Sequence, residues 1–459
     1  MKSISSLITK ELAWYYRAVP EKENNEEILF FVDEEKDQKQ IIKELSVFLG
    51  KKVKVISKKT SEIEKLLILK YRTSSEEAEK KIKVGILEEI MYEAIDFKSS
   101  DVHFEIYENY MRVRYRIDGV LIEKRKIKKE LYLEIVNVIK IQSNLDITEK
   151  RLPQDGRTSI AGYDVRVSIL PTQFGEKVVM RILGKSADTL ELSVLGFEEE
   201  ELKRYKEAVQ KSNGIILISG PTGSGKTTTL YATLKMLNNV EKNIMTVEDP
   251  IEYVLEGVNQ VQLNEEVGVT FSSTLRSFLR QDPDIIMLGE IRDRKTSEMA
   301  IRASLTGHLV LSTIHTNSAL GTISRLIDMG VPPFLLSETL NLTLAQRLLR
   351  KLCSHCKKED FFKRESFPST YQIPREIKKY YKAVGCEKCH YTGYKGRKAI
   401  YELVVIDSYI AEEINKKERD FSKLLKRRNI KTLSEKAFEL LEKGETSLKE
   451  IYSILVNTY

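Results

Sequence analysis

The sequence lacks any apolar run near the ~20 residues needed to cross a bilayer. Its longest runs, such as Ile215 to Ile218 and Ile285 to Leu288, have the length of a buried strand, which argues against an integral membrane protein. There is no secretory leader pattern either, because Lys10 and Glu11 arrive before an apolar stretch develops. Charge of one sign is barely in excess: 75 Lys and Arg against 68 Asp and Glu leave +7 over 459 residues, a balance that does not call for nucleic acid. Cysteine is scarce. The four present, Cys353, Cys356, Cys386 and Cys389, form two C-x-x-C pairs, which in a reducing compartment favours metal over disulfide. With 41% hydrophobic and 31% charged residues, disordered, collagenous and coiled-coil classes are excluded. We expect a cytoplasmic globular chain of roughly three domains.

Residues 1–77 alternate short apolar runs (Ile28 to Val32, Val53 to Ile56) with helical stretches (Gln40 to Leu49, Glu62 to Leu69), a small α/β domain. A polar linker, Arg72 to Lys80, carries Ser74 and Glu77 at capping-box spacing before Ile82, Ile86, Ile90, Met91 and Ala94 at helical spacing. Residues 78–192 read as a sheet domain. From Met111 the pattern has period two, with Met111, Val113, Tyr115 and Ile117 on one face, Arg112, Arg114 and Arg116 on the other, and an Asp118-Gly119 hairpin turn. It continues through Tyr163 to Leu170 and Lys177 to Leu183, ahead of a helical stretch from Glu198 to Lys211. Over residues 193–345 wholly apolar strands (Ile215 to Ile218, Ile244 to Val247, Ile285 to Leu288, Leu309 to Ser312) alternate with helices, which predicts a parallel sheet covered on both faces. Residues 346–459 are cysteine-bearing and loop-rich, then helical from Ser408 to Thr458.

Gly220-Pro221-Thr222-Gly223-Ser224-Gly225-Lys226-Thr227-Thr228 contains G-x-x-x-x-G-K-[ST] between a buried strand and the helical run Thr227 to Leu237. Such glycines let successive N–H groups point inward, the helix terminus adds positive potential, and Lys226 supplies a full charge to the β and γ phosphates of ATP. Thr227 offers its hydroxyl to Mg²⁺. Hydrolysis needs carboxylates as well. Glu248 follows Ile244 to Val247 and Glu290 follows Ile285 to Gly289, both at ends of buried strands where open α/β sheets bind ligands. For Asp249, followed by Pro250, helix capping is the expected role, whereas for Glu248 and Glu290 function ranks above capping.

At this point the chain resembles the secretion-superfamily ATPases of type II secretion and type IV pilus assembly, the GspE/PilB group, from about Val84 to Glu402. The motifs that carry the resemblance are Ser100-Asp-Val-His-Phe-Glu105, Val113-Arg-Tyr-Arg-Ile-Asp-Gly119, Leu152-Pro-Gln-Asp-Gly-Arg157, the P-loop, Thr246-Val-Glu-Asp-Pro-Ile-Glu252, Leu279-Arg-Gln-Asp-Pro-Asp284, Gly289-Glu-Ile-Arg-Asp293, Leu305-Thr-Gly-His308 and Ser312-Thr-Ile-His-Thr-Asn317. The resemblance implies a RecA-like P-loop ATPase core behind a PAS-like α+β domain, assembled as a homo-hexamer, with ATP between the two domains. It implies Glu248 as general base or water-positioning residue and Glu290 as the Walker B carboxylate acting on Mg²⁺ through water. His315 would contact the γ-phosphate, with His308 a weaker candidate. Arg166, Arg181, Arg276 and Arg280 would neutralise charge on the transferring phosphoryl group. Arg276 and Arg280 are four apart, so on a helix they would share one face. The partners implied are an inner-membrane platform protein and a membrane-anchored cytoplasmic adaptor, at the inner face of the membrane, with no nucleic acid. The segment from Tyr16 to Tyr71 resembles the second half of a longer N-terminal domain that binds a cyclic dinucleotide in some members. Its first half has no counterpart, so docking onto a partner is expected instead.

The two C-x-x-C pairs enclose 29 residues between Cys356 and Cys386. Four thiolates suit a closed, structural Zn²⁺ site, whereas a redox dithiol needs only one such pair. His355 and His390 flank the cysteines but are not needed as ligands. Within the family this element marks assembly and secretion motors rather than retraction motors. Competing readings are a retraction ATPase, a nucleic-acid translocase, and a nucleotide-gated scaffold without productive hydrolysis.

Overall fold

In the computed structural model the described residues are 7–24, 27–70, 76–184, 190–374, 377, 379–416 and 421–456. The chain divides into two compact units, Met1–Ile90 with Leu133–Val138, and Met91–Tyr132 with Ile139–Tyr459.

The first unit contains α1 (Lys10–Tyr16), β1 (Ala18–Glu23), β2 (Glu27–Asp33), α2 (Gln38–Leu49), β3 (Lys52–Lys58) and α3 (Thr60–Lys70). The sheet order is β1-β2-β3, with β1 antiparallel to β2 and β3 parallel to it across the α2 crossover. Ile28, Phe30 and Val32 alternate into a core with Ile41, Leu45, Val53, Ile63 and Leu67. Asp37 caps α2 by accepting from the Lys39 and Gln40 amides, and Gly50 ends it in the left-handed region. The expected α/β domain is present, with α1 and β1 in addition. Ser74, the expected cap, lies outside the described residues, as do the side chains up to residue 84; α4 (Glu76–Asp96) buries Ile90, Met91 and Ala94 as their spacing predicts.

The second unit contains an antiparallel sheet, β4 (Asp101–Ile106), β5 (Tyr110–Ile117), β6 (Val120–Lys128), β7 (Gln154–Ile160), β8 (Tyr163–Thr172) and β9 (Gly175–Ile182), in the order β6-β5-β4-β9-β8-β7; α5 (Tyr132–Gln142), between β6 and β7 in the chain, is shared between the two units. Asp118 and Gly119 both have positive φ, as a two-residue hairpin turn requires. The sheet begins ten residues earlier than Met111, because β4 is its central strand and is paired on both sides. Val102, Phe104, Val113, Tyr115, Val167 and Met180 are buried on one face. The fully buried Lys140 is neutralised by Glu176 at 2.7 Å and also donates to the Glu149 carbonyl.

The parallel-sheet core runs α6 (Glu199–Val209), β10 (Gly214–Ser219), α7 (Lys226–Leu237), β11 (Ile244–Glu248), β12 (Asn259–Gln262), α8 (Phe271–Phe278), β13 (Ile285–Leu288), α9 (Arg294–Leu305), β14 (Leu309–Ile314), α10 (Ala319–Asp328), α11 (Pro333–Thr339) and β15 (Leu340–Leu352). Its sheet order is β12-β11-β13-β14-β10-β15-β18, where β18 (Tyr394–Val405) is antiparallel to β15 and the other strands are mutually parallel. Ile215 and Leu217 enter one core while Ile216 and Ile218 enter the other, so β10 is apolar on both faces. The expected boundary at residue 345 falls inside β15. The cysteine module, with β16 (Lys358–Phe361) and β17 (Lys379–Lys382), is an insertion at the tip of the β15–β18 hairpin. The chain closes with α12 (Ser408–Asn415), α13 (Phe421–Arg427), α14 (Leu433–Glu442) and α15 (Leu448–Val456).

Candidate nucleotide and metal sites

The P-loop turns from β10 into α7 with Gly220, Gly223 and Gly225 at φ +147°, +80° and +92°. A side chain at Gly220 would meet the Gln346 carbonyl and the Ser224 hydroxyl at 2.6 Å, and one at Gly225 would meet Gln346 Nε2 at 2.7 Å. Gln346, on β15, therefore walls the loop, and its Oε1 accepts from Thr229. Lys226 Nζ donates to the carbonyls of Gly220 (2.8 Å) and Pro221 (3.2 Å). Burial lowers its pKa, opposed by the charge of Glu290 and reinforced by that of Arg347. Pro221, Thr222, Gly223 and Thr227 are exposed, Thr228 is half-buried, and the buried Ser224 hydroxyl has no hydrogen-bond partner. A concave row of amides at a helix N-terminus with an ammonium beside it is a polyphosphate cradle.

Because β10, β11, β13 and β14 are parallel neighbours, the residues after them share the P-loop edge of the sheet. Glu248, the last residue of β11, is 3% exposed. Its Oε1 accepts from Thr246 (2.6 Å) and Gln260 (3.0 Å), and its Oε2 from Tyr231. Gly289 is pinned between strands by its own N–H to Val247 and by the Thr313 hydroxyl on its carbonyl. Glu290 pairs with Arg292, and His315 Nε2 lies 3.5 Å from its Oε2. His308 precedes β14, on the opposite edge, where its Nδ1 bonds the Ala303 carbonyl. Asp249 caps no helix, since the chain after it runs irregularly toward β12.

Arg166 and Arg181 face each other across β8 and β9, and register continues the row on both sides: Arg157, Arg166, Arg181, Asp101, Arg116. Arg157, Arg166 and Arg181 line a cavity of about 470 Å³ that also includes Pro250, two residues after Glu248. Arg181 pairs with Asp101 at 2.9 Å while remaining 58% exposed. Arg166 pairs with Glu252 at 3.2 Å and donates to the Ile251 carbonyl. Arg276 is exposed in the last turn of α8. Arg280 lies beyond that helix, because α8 stops at Phe278, and it folds back onto the Arg276 carbonyl and Ser277 instead of sharing a helical face. Three residues had no role assigned from the sequence: Arg157, which closes the Leu152–Arg157 motif but is aligned with Arg166 only by strand register, and Tyr231 and Gln346, which are remote in sequence from what they touch.

The four cysteine sulfurs lie within 4.8 Å of one another, with Cys353–Cys386, Cys356–Cys389 and Cys386–Cys389 at 3.9, 3.7 and 3.7 Å. A tetrahedral ion with metal–sulfur bonds of about 2.3 Å requires sulfurs ~3.8 Å apart. Burial raises the Cys389 thiol, but amide donors from Cys386 and Gly393 together with the Cys356 and Cys386 thiols outweigh it and favour the thiolate, whereas burial pushes the Cys356 thiol up.

With this geometry in place, residues 76–453 match the family model for the type II/IV secretion system protein. The chain belongs to that family. Type II secretion system protein E of Pseudomonas aeruginosa is 51% identical over 337 residues, covering 72% of this chain and 67% of that protein. The type IV pilus assembly ATPase PilB of Myxococcus xanthus is 50% identical over 329 residues, 70% of this chain and 58% of PilB. Among solved structures, the pilus retraction motor PilT with bound ADP superposes with a TM-score of 0.55 at 26% identity, over 80% of this chain and 96% of PilT. As a member of this family with an intact P-loop, the chain is an ATPase. No helix among the described residues is long and apolar enough to cross a membrane.

Proposed function

We propose that this chain is the cytoplasmic motor of a fibre- or pseudopilus-assembling machine, working as a homo-hexamer at the inner face of the membrane. Its hydrolysis cycle would drive a platform protein and be anchored by a membrane-tethered adaptor. The observation that carries the catalytic part is the placement of Glu248 and Glu290 at the P-loop edge of adjacent parallel strands.

In the proposed step the P-loop amides and Lys226 hold the β and γ phosphates. Water attacks the γ-phosphorus as the bond to the ADP oxygen breaks, and Glu248 takes the proton that water gives up. Thr227, exposed at the start of α7, and Glu290, through water, would hold Mg²⁺, which would supply charge neutralisation between the β and γ phosphates. Arg166 and Arg181 would close from the sheet domain onto the γ-phosphoryl oxygens, with Arg276 and Arg280 approaching from the α8 side and His315 reading the γ-phosphate. The cysteine cluster would hold one structural Zn²⁺ that fixes the module on the β15–β18 hairpin.

Assembly is favoured over retraction by the cysteine cluster and by identities of 51% and 50% to protein E and PilB against 26% to the retraction motor. Cells carrying the Lys226→Ala chain should fail to extend the fibre or to export its cargo. Normal extension with a defect confined to retraction would overturn the assembly assignment.

A further inference from the structure

Tyr231 is wholly buried on α7, and the ATPase reading leaves it without a role. Its hydroxyl donates to Glu248 Oε2 and accepts from the backbone N–H groups of Glu252 (3.2 Å) and Tyr253 (3.4 Å) and from Gln260 Nε2 (3.4 Å). Desolvation and the Glu248 carboxylate both raise its pKa, so it remains a protonated donor. The other two donors, Thr246 and Gln260, both fall on Oε1. Each carboxylate oxygen has about two acceptor sites. Oε1 is therefore filled, and Oε2 keeps one site beyond the bond from Tyr231. A proton drawn from the attacking water has to be received on Oε2, the oxygen that Tyr231 holds.

The segment on the other side of Tyr231 is the one that Arg166 grips, through the Ile251 carbonyl and the Glu252 carboxylate. A continuous hydrogen-bonded path therefore runs from Arg166 through residues 251–253 and the Tyr231 hydroxyl to Glu248. We propose that Tyr231 is a positioning residue for hydrolysis: its hydroxyl aims the proton-accepting oxygen of Glu248, and its tether to residues 252–253 makes that aim follow the segment Arg166 holds. This rests on Glu248 being the base.

The test is steady-state ATPase kinetics of the full chain. Tyr231→Phe keeps the ring and its edge contact with Tyr253 (5.5 Å between centroids) but removes the hydroxyl. Tyr205→Phe removes another buried hydroxyl bond to the same helix, at Thr233, away from Glu248. Tyr231→Phe is expected to lower kcat about tenfold or more with KM for ATP unchanged. Tyr205→Phe should keep kcat. Wild-type kcat in Tyr231→Phe, with Glu248→Gln dead, overturns the positioning role alone. A kcat loss matched by Tyr205→Phe marks a packing effect and overturns it too. Wild-type turnover by Glu248→Gln removes the base assignment and this inference together.

Discussion

Glu105 illustrates how the sheet domain sets the state of a single carboxylate. Burial pushes its pKa up, but hydrogen bonds from Arg114, Lys177 and Arg112 outweigh that and hold it at about 2. A carboxylate held below its ordinary value stabilises the fold above that ordinary value and loses the contribution as pH falls. Glu105→Gln should therefore lower the unfolding free energy at pH 7, read from the denaturant midpoint, by up to ~3 kcal/mol. The difference from wild type should shrink between pH 4.5 and about 2; a constant difference across that range would mean that the ion pairs contribute nothing. Arg181 is the opposite case. It is exposed over more than half its surface and, among the described residues, paired only to Asp101, so removing it costs the fold little. If it reaches the γ-phosphoryl oxygens, Arg181→Ala should cut turnover by ~10³-fold or more with nucleotide affinity nearly intact. Undiminished turnover removes it from the mechanism.

Among elements, the strands with wholly apolar sequences were legible because a parallel strand covered on both faces has no polar side to disguise it. β10, β11, β13 and β14 all form where the pattern places them. Asp101 to Ile106 alternates polar and apolar just as β5 does, yet all six residues are buried, because the polar side is covered by the arginines of β5 and by Lys177 and Arg181 of β9. Its central position came from pairing on both sides, which period alone does not reveal. β18 was unreadable as a member of the ATPase sheet because 41 residues separate it from β15, and register links the two only after folding. The P-loop, acidic strand ends and cysteine set were legible as motifs, whereas Tyr231 and Arg157 gain their places through tertiary contact. The cysteine module makes its own prediction. One Zn²⁺ per chain should be found by elemental analysis, and Cys386→Ser should abolish it. Amide exchange should then accelerate in β16 and β17 while the strands from β10 to β14 stay protected. Unchanged exchange after metal loss would contradict a structural role.

For the whole molecule, nucleotide binding and hydrolysis should be separable, since the cradle is built from β10 and α7 and the proposed proton acceptor, Glu248, from the end of β11. Arg166, gripping the segment just after Glu248, links the sheet domain to that acceptor within the second unit. The central claim is that Glu248 converts a bound triphosphate into released phosphate. Pre-steady-state phosphate release at saturating Mg²⁺-ATP, comparing wild type with Glu248→Gln, tests it most directly. The account predicts a burst from the wild type and none from the variant, with ATP bound equally by both; equal bursts from the two would contradict it.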